Sequence, residues 1–94
     1  SAQNNALHVY CRLLGEKLND SGFDMKRVIK QEVDIPWSPS LVKEYLWKPI
    51  QKIVANEDST AKVGSDDYHN TYSVLSRHLS DKFGVFVEFP SKRQ

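Results

Sequence analysis

The hydrophobic positions between residues 3 and 20 recur three or four residues apart, as on one face of an α-helix. This stripe consists of Leu7, Tyr10, Leu14 and Leu18, widened by Ala6, Val9, Leu13 and Cys11. Gly22 follows, and glycine readily adopts the left-handed conformation that ends a helix. The pattern therefore predicts a first amphipathic helix of about five turns, ending near Asp20.

A second helix is predicted to begin at Ser38-Pro39, with the serine as N-cap and the proline at the first helical position. Two-residue apolar pairs then repeat every four positions. The pairs are Leu41/Val42, Tyr45/Leu46, Pro49/Ile50 and Ile53/Val54. Pro49 lies inside this pattern and removes a backbone hydrogen-bond donor, which predicts a kink near Trp47-Lys48.

The third helix is predicted to begin at Ser65, with its hydroxyl as a cap and with Asp66 and Asp67 at the positive end of the helix dipole. One face of this helix is apolar and carries Tyr68, Tyr72, Leu75, Leu79 and Phe83. Gly84 is a second candidate for a left-handed helix end.

The segments between and after these helices predict only short elements. Asp24 is a candidate cap for a helical turn over residues 25–29, and residues 32–35 read as extended because Pro36 follows. Short extended pieces are predicted at residues 60–63 and 85–89. The 94 residues suit a single domain, residues 1–94. The predicted fold class is mainly α, with three principal amphipathic helices, a short extra helical turn and a few short extended segments.

Composition narrows the class of protein. The chain is 39% hydrophobic and 27% charged, enough apolar material for a folded core. Its single cysteine, Cys11, excludes an internal disulfide, and no apolar run approaches the ~20 residues of a membrane span. We therefore expect a cytoplasmic protein. The net charge of +1 points to no partner, so a basic surface has to be sought locally.

Catalytic signatures are weak. His8 and Cys11 are three residues apart on one helix but lack further ligands at zinc-site spacing, and His69 and His78 lie on opposite sides of the third helix. The acidic residues could suggest a metal-dependent nuclease, but helix-end charge and loop solvation explain them as well; they are Glu57, Asp58, Asp66 and Asp67. We expect no enzyme activity, no metal and no cofactor.

A binding surface is the stronger prediction. On the second helix, Trp47 and Gln51 fall among Lys43, Lys48 and Lys52, off the predicted apolar pairs and therefore on a predicted polar face. An aromatic ring among lysines suits single-stranded nucleic acid, because bases stack on the ring while lysines neutralise phosphates. A Trp47→Ala change would then remove about 1–3 kcal/mol of stacking. A second basic set consists of Lys26, Arg27 and Lys30. The alternative is that Trp47 turns inward at the kink and the lysines are simply solvated.

The order of these motifs resembles the NinB (lambda Orf) family of bacteriophage recombination proteins. The resemblance rests on four features: Ser1, Gln3, Asn4, Leu7 and His8 at the opening; the tryptophan-containing stretch 37–54; Ser59-Thr60; and Gly84-Val85. It implies a non-enzymatic phage protein in the bacterial host cell that binds single-stranded DNA as a dimer. It also implies an accessory role beside a single-strand-binding protein or a recombinase.

Two other functions remain open from the sequence. A small protein-interaction module or inhibitor could dock on a host protein through Trp37, Trp47 and the acidic loop. A nuclease would use Asp66, Asp67 and Glu57 with a divalent metal. A homodimer is expected in the leading interpretation, because a chain this short gains stability by burying surplus apolar surface against a second copy.

Overall fold

A computed structural model of the protein describes residues 1–24, 28 and 35–90. Within these ranges three helices carry the fold and no strand is present. Helix α1 is Ala2–Asp20, helix α2 occupies residues 39–55, and helix α3 is Ser65–Phe83. The mainly α prediction is confirmed. The predicted helical turn at 25–29, apart from Val28, and the extended residues 32–34 lie outside the described residues.

Helix α1 matches its prediction closely. It begins after Ser1, whose Oγ accepts a hydrogen bond from the backbone N–H of Asn4 at 3.1 Å, and Gly22 follows its end with a φ of 78°. The four central residues of the predicted stripe are buried together with Ala6 and Cys11, whereas Val9 and Leu13 are only partly buried. This face of α1 is therefore one wall of the core.

Helix α2 contains a local change of helix type. It starts at Pro39 with Ser38 as N-cap, as predicted, and runs as an α-helical turn, Pro39–Val42, a π-helical turn, Lys43–Trp47, and a second α-helical segment, Lys48–Ala55. The backbone N–H of Lys48 donates to the carbonyl of Lys43, five residues back. The predicted distortion takes this form because the ring of Pro49 would clash with the carbonyl of residue 45 in a regular α-helix.

The π-helical turn shifts the buried face of α2 by about one residue. Because a π-helical turn holds an extra residue, Trp47 and Gln51 point into the core and are both fully buried. Pro49 and Ile53 point outward instead. The predicted assignment of Ile53 to the apolar face and of Gln51 to the polar face is wrong for this reason.

Helix α3 ends as predicted at Gly84, which has a φ of 64°. Its start differs, because Gly64 occupies the N-cap position and the Ser65 hydroxyl donates to Oε1 of Gln3 at 3.1 Å rather than capping the helix. Residues 60–62 form a 3₁₀ turn instead of an extended piece. The residues from 85 to 89 continue without a helix or a strand partner among the described residues.

An aromatic cluster joins the three helices. The ring of Tyr10 on α1 lies 5.9 Å from that of Trp47 and 5.4 Å from that of Tyr72, in edge-to-face arrangements. Phe89 closes the cluster and stacks on Trp47 with ring centroids 6.0 Å apart. Such pairs add about 0.5–1.5 kcal/mol each beyond the burial of apolar area. The centre of the core therefore lies between α1 and the π-helical turn of α2.

Cys11 is expected to be unreactive in the folded protein. Burial raises the pKa of its thiol to about 12, against a smaller lowering by Lys43, so almost no reactive thiolate exists at neutral pH. A colorimetric thiol reagent at pH 8 should label the native protein far more slowly than the same protein in guanidinium chloride. Equal labelling rates in the two states would contradict the burial of this side chain.

No helix among the described residues is long and apolar enough to cross a membrane.

Candidate nucleic-acid interface

Helix α2 and the loop after it form a shallow polar recess of about 410 Å³. Lys43 and Lys48 line it from the helix, and Asp58, Ser59 and Thr60 line it from the loop. The two lysines occupy successive positions on one face because the backbone hydrogen bond of the π-helical turn joins these same residues. Cations and hydroxyl groups thus meet in one place, although they are eleven or more positions apart in the chain.

A chain of hydrogen bonds that begins at the buried Trp47 holds this loop against α2. The indole Nε1–H of Trp47 donates to Oε1 of Gln51 at 3.1 Å, and Nε2 of Gln51 donates to the backbone carbonyl of Glu57 at 2.7 Å. The carboxylate of Glu57 in turn accepts from the backbone N–H of Ser59 at 3.0 Å. We call this the Trp47–Gln51–Glu57 chain; it sets the distance between the loop and the lysines.

Thr60 connects the recess to both other helices. Its hydroxyl donates to Oδ1 of Asn4 on α1 at 3.3 Å, and its carbonyl accepts from the hydroxyl of Tyr68 on α3 at 2.6 Å. The Ser59 hydroxyl has no hydrogen-bond partner among the described residues. It is therefore available to donate to an anion in the recess.

The lysines of the cluster are only partly paired with carboxylates. Lys48 pairs with Glu44 at 3.3 Å and Lys52 with Asp58 at 3.5 Å, whereas Lys43 has no ion-pair partner in the part of the chain that the structure describes. Exposed ion pairs of this kind contribute about 0–1 kcal/mol, so an incoming phosphate can replace them. The carboxylate of Glu57 lies beside the recess as well, on the backbone N–H of Ser59, so three lysines face three carboxylates and the cluster has no net positive charge.

The structure corrects the predicted role of Trp47. Its side chain has 0% exposure and is surrounded by Tyr10, Tyr68 and Phe89, so a base cannot stack on it. The inward alternative is the correct one, and a Trp47→Ala change would test stability rather than stacking. Lys26, Arg27 and Lys30 lie outside the described residues, so their relation to the recess is not established.

Trp37 is also a core residue, with 4% exposure. Its indole N–H donates to the carbonyl of Phe23 at 3.0 Å, and the Asn19 side chain makes two hydrogen bonds to its backbone. The prediction of a docking surface made from Trp37 and Trp47 is therefore wrong, because both rings are inside the protein.

The sequence interpretation missed an exposed apolar strip on α2 that consists of Tyr45, Pro49 and Ile53. Tyr45 is 50% exposed and Ile53 is 85% exposed, and the three residues are four apart in sequence. The signal for this strip was Pro49 itself, since a proline inside a helix often marks a change in the phase of the pattern.

The residues considered for a metal site or a nuclease site do not come together in the structure. Among the described residues, no group of three His, Cys, Asp or Glu side chains could hold a metal ion. His8 is exposed whereas Cys11 is buried, so the two do not face a common ligand. Asp66 and Asp67 lie in the first turn of α3, as expected for charges that stabilise a helix start.

Comparisons with known protein families, with curated protein sequences and with solved structures found no match to this chain. The resemblance to the NinB (lambda Orf) family therefore stays a hypothesis that rests on the short motifs described above.

Proposed function

We propose that this protein is a non-enzymatic single-stranded DNA-binding protein that acts as an accessory in phage-type recombination. The polar recess and Lys52 beside it receive the sugar-phosphate backbone, and we call the three cations Lys43, Lys48 and Lys52 the α2 lysines. A single-strand-binding protein or a recombinase is the protein partner that the family resemblance suggests. A homodimer in solution is part of the proposal, and light scattering would detect it.

One observation carries the DNA proposal: Lys43 and Lys48 line the same recess as the Ser59 hydroxyl and Thr60. Two ammonium groups beside a free hydroxyl are donors that suit a phosphate oxygen. The carboxylates of Glu44, Glu57 and Asp58 beside the lysines predict weak binding, with a dissociation constant of about 10⁻⁵ M, within the usual range for sequence-independent contacts.

The test is a fluorescence-anisotropy titration of a labelled single-stranded oligonucleotide at low salt. If the α2 lysines contact three phosphates, the logarithm of the binding constant should fall against the logarithm of the salt concentration with a slope of about −2. A titration that shows no binding at 20–50 mM salt, roughly the lower end used for such contacts, would overturn the proposal.

Single substitutions should show which charged side chains of the cluster favour DNA binding and which oppose it. Lys43→Ala is expected to weaken binding most, because no carboxylate among the described residues competes for its ammonium group. Asp58→Asn should strengthen binding, since it removes the negative charge of the recess and releases Lys52. The matched control is Lys17→Ala on the exposed surface of α1. The assignment fails if Lys17→Ala reduces binding as much as Lys43→Ala does.

The exposed apolar strip favours a second candidate function, a protein-interaction module. Ile53 is 85% exposed, and large exposed apolar side chains that lie together often mark contact surfaces. Under this function Ile53→Ser would abolish binding of the protein partner and leave oligonucleotide binding unchanged. Under the DNA-binding function alone, Ile53→Ser changes neither measurement.

A further inference from the structure

A cavity of about 290 Å³ lies between the start of α1, the first turns of α3 and the residues after Gly84. Its walls are aromatic and consist of Tyr68, Tyr72 and Phe89, whereas Gln3, Ser65 and His69 stand at its polar side. A cavity of about 150 Å³ already holds a benzene ring, so this one has room for a planar heterocycle. No residue of the proposed phosphate contacts lines it.

The aromatic walls are held in place before any ligand arrives. The Tyr68 hydroxyl donates to the carbonyl of Thr60, and the Tyr72 hydroxyl donates to the carbonyl of Val87 at 2.9 Å. One face of Phe89 stacks on the buried Trp47 ring. With both hydroxyl groups engaged inside the protein, the partly exposed rings of Tyr72 and Phe89 offer the cavity apolar and π surface in a fixed arrangement. Tyr68 is only 3% exposed, so its ring is a buried part of the wall.

The polar side of the cavity carries groups that can recognise the edge of a base. The Ser65 hydroxyl donates to Oε1 of Gln3, which leaves the NH₂ group of Gln3 free to donate among the described residues. His69 is exposed beside it and offers a ring nitrogen as donor or acceptor.

The cavity and the polar recess share a wall. Thr60 lines the recess, and its carbonyl is hydrogen-bonded to Tyr68, which lines the cavity. The two sites therefore lie on either side of the contact between Thr60 and Tyr68. We propose that the aromatic cavity receives one unstacked base of the strand whose phosphates lie in the recess. This inference rests on the proposed DNA-binding function and names the part of the nucleotide that the function leaves unassigned.

The experiment compares two oligomers of equal length, oligothymidylate and its abasic counterpart with the same phosphates. The wild-type protein should bind the base-bearing oligomer about tenfold more tightly, as expected for one stacked base. Ser65→Leu narrows the mouth of the cavity from an exposed position and should remove that preference while it leaves the affinity for the abasic oligomer unchanged. Ser73→Leu, an equal change at an exposed position of the same helix, should keep the preference.

The outcomes separate the cavity from the proposed function. Failure to bind either oligomer overturns both. Equal binding of the two oligomers by the wild type overturns the cavity alone and leaves the phosphate contacts in place. A preference that survives Ser65→Leu but disappears in Tyr45→Ala places the base on α2 and also overturns the cavity. If Ser65→Leu lowers affinity for both oligomers equally, the base assignment is likewise wrong.

Discussion

Replacing Trp47 by alanine is expected to lower the free energy of unfolding by about 3–5 kcal/mol, the range for deletion of a fully buried aromatic side chain. Folded proteins have a total stability of about 5–15 kcal/mol, so the change removes a large share of it. The loss is large because Trp47 contacts rings from α1, α3 and the residues after Gly84 at once. Urea denaturation followed by circular dichroism measures it directly.

Trp47→Phe is the matched control, because it keeps an aromatic ring but removes the indole N–H. The Oε1 atom of Gln51 then loses its donor, and a buried acceptor without a partner costs about 1–3 kcal/mol. We expect this variant to be intermediate between the wild type and Trp47→Ala. A Trp47→Ala protein with an unchanged denaturation midpoint would show that this ring is not part of the core.

The helices could be predicted from the sequence because each has its own local signals. In α1 the spacing of Leu7, Leu14 and Leu18 and the glycine at position 22 both indicate the same element, and the structure confirms them. The same holds for Gly84 at the end of α3. The spacing of apolar residues and the residues at helix ends are signals that involve only a few neighbouring positions. A helix can therefore be predicted from them without knowledge of the tertiary contacts.

The candidate site could be predicted only in part, because the extra residue in the π-helical turn changes which side chains of α2 face the core. With a regular helix, Trp47 would face solvent beside the lysines and Gln51 would be a surface residue. The extra residue turns both inward and leaves Tyr45 and Ile53 outside. The lysines could be predicted as candidate binding residues from the sequence. Their proximity to Ser59 and Thr60, however, depends on hydrogen bonds that link residues 47, 51 and 57, and no periodic pattern indicates these bonds.

Gln51→Leu is expected to lower the free energy of unfolding by about 1–3 kcal/mol, although leucine is apolar and similar in size. The change leaves the buried indole N–H of Trp47 without a partner, at about 1–3 kcal/mol, and it removes the donor to the part-buried carbonyl of Glu57 at a smaller cost. Burial of the new methyl groups offsets part of this cost. The matched control is Asn70→Leu, an amide on the exposed face of α3, which should change stability by less than about 0.5 kcal/mol.

The same substitution also separates the position of the loop from the charge of the recess. Gln51→Leu keeps every lysine but releases the carbonyl of Glu57, so oligonucleotide affinity should fall while the salt slope stays near that of the wild type. Lys43→Ala, in contrast, should lower both. A double-mutant cycle with Trp47→Phe tests the chain itself: because both changes break the same indole hydrogen bond, their combined cost should be smaller than the sum of the single costs by about 0.5 kcal/mol or more. Strict additivity would mean that residues 47 and 51 do not act as one hydrogen-bonded unit.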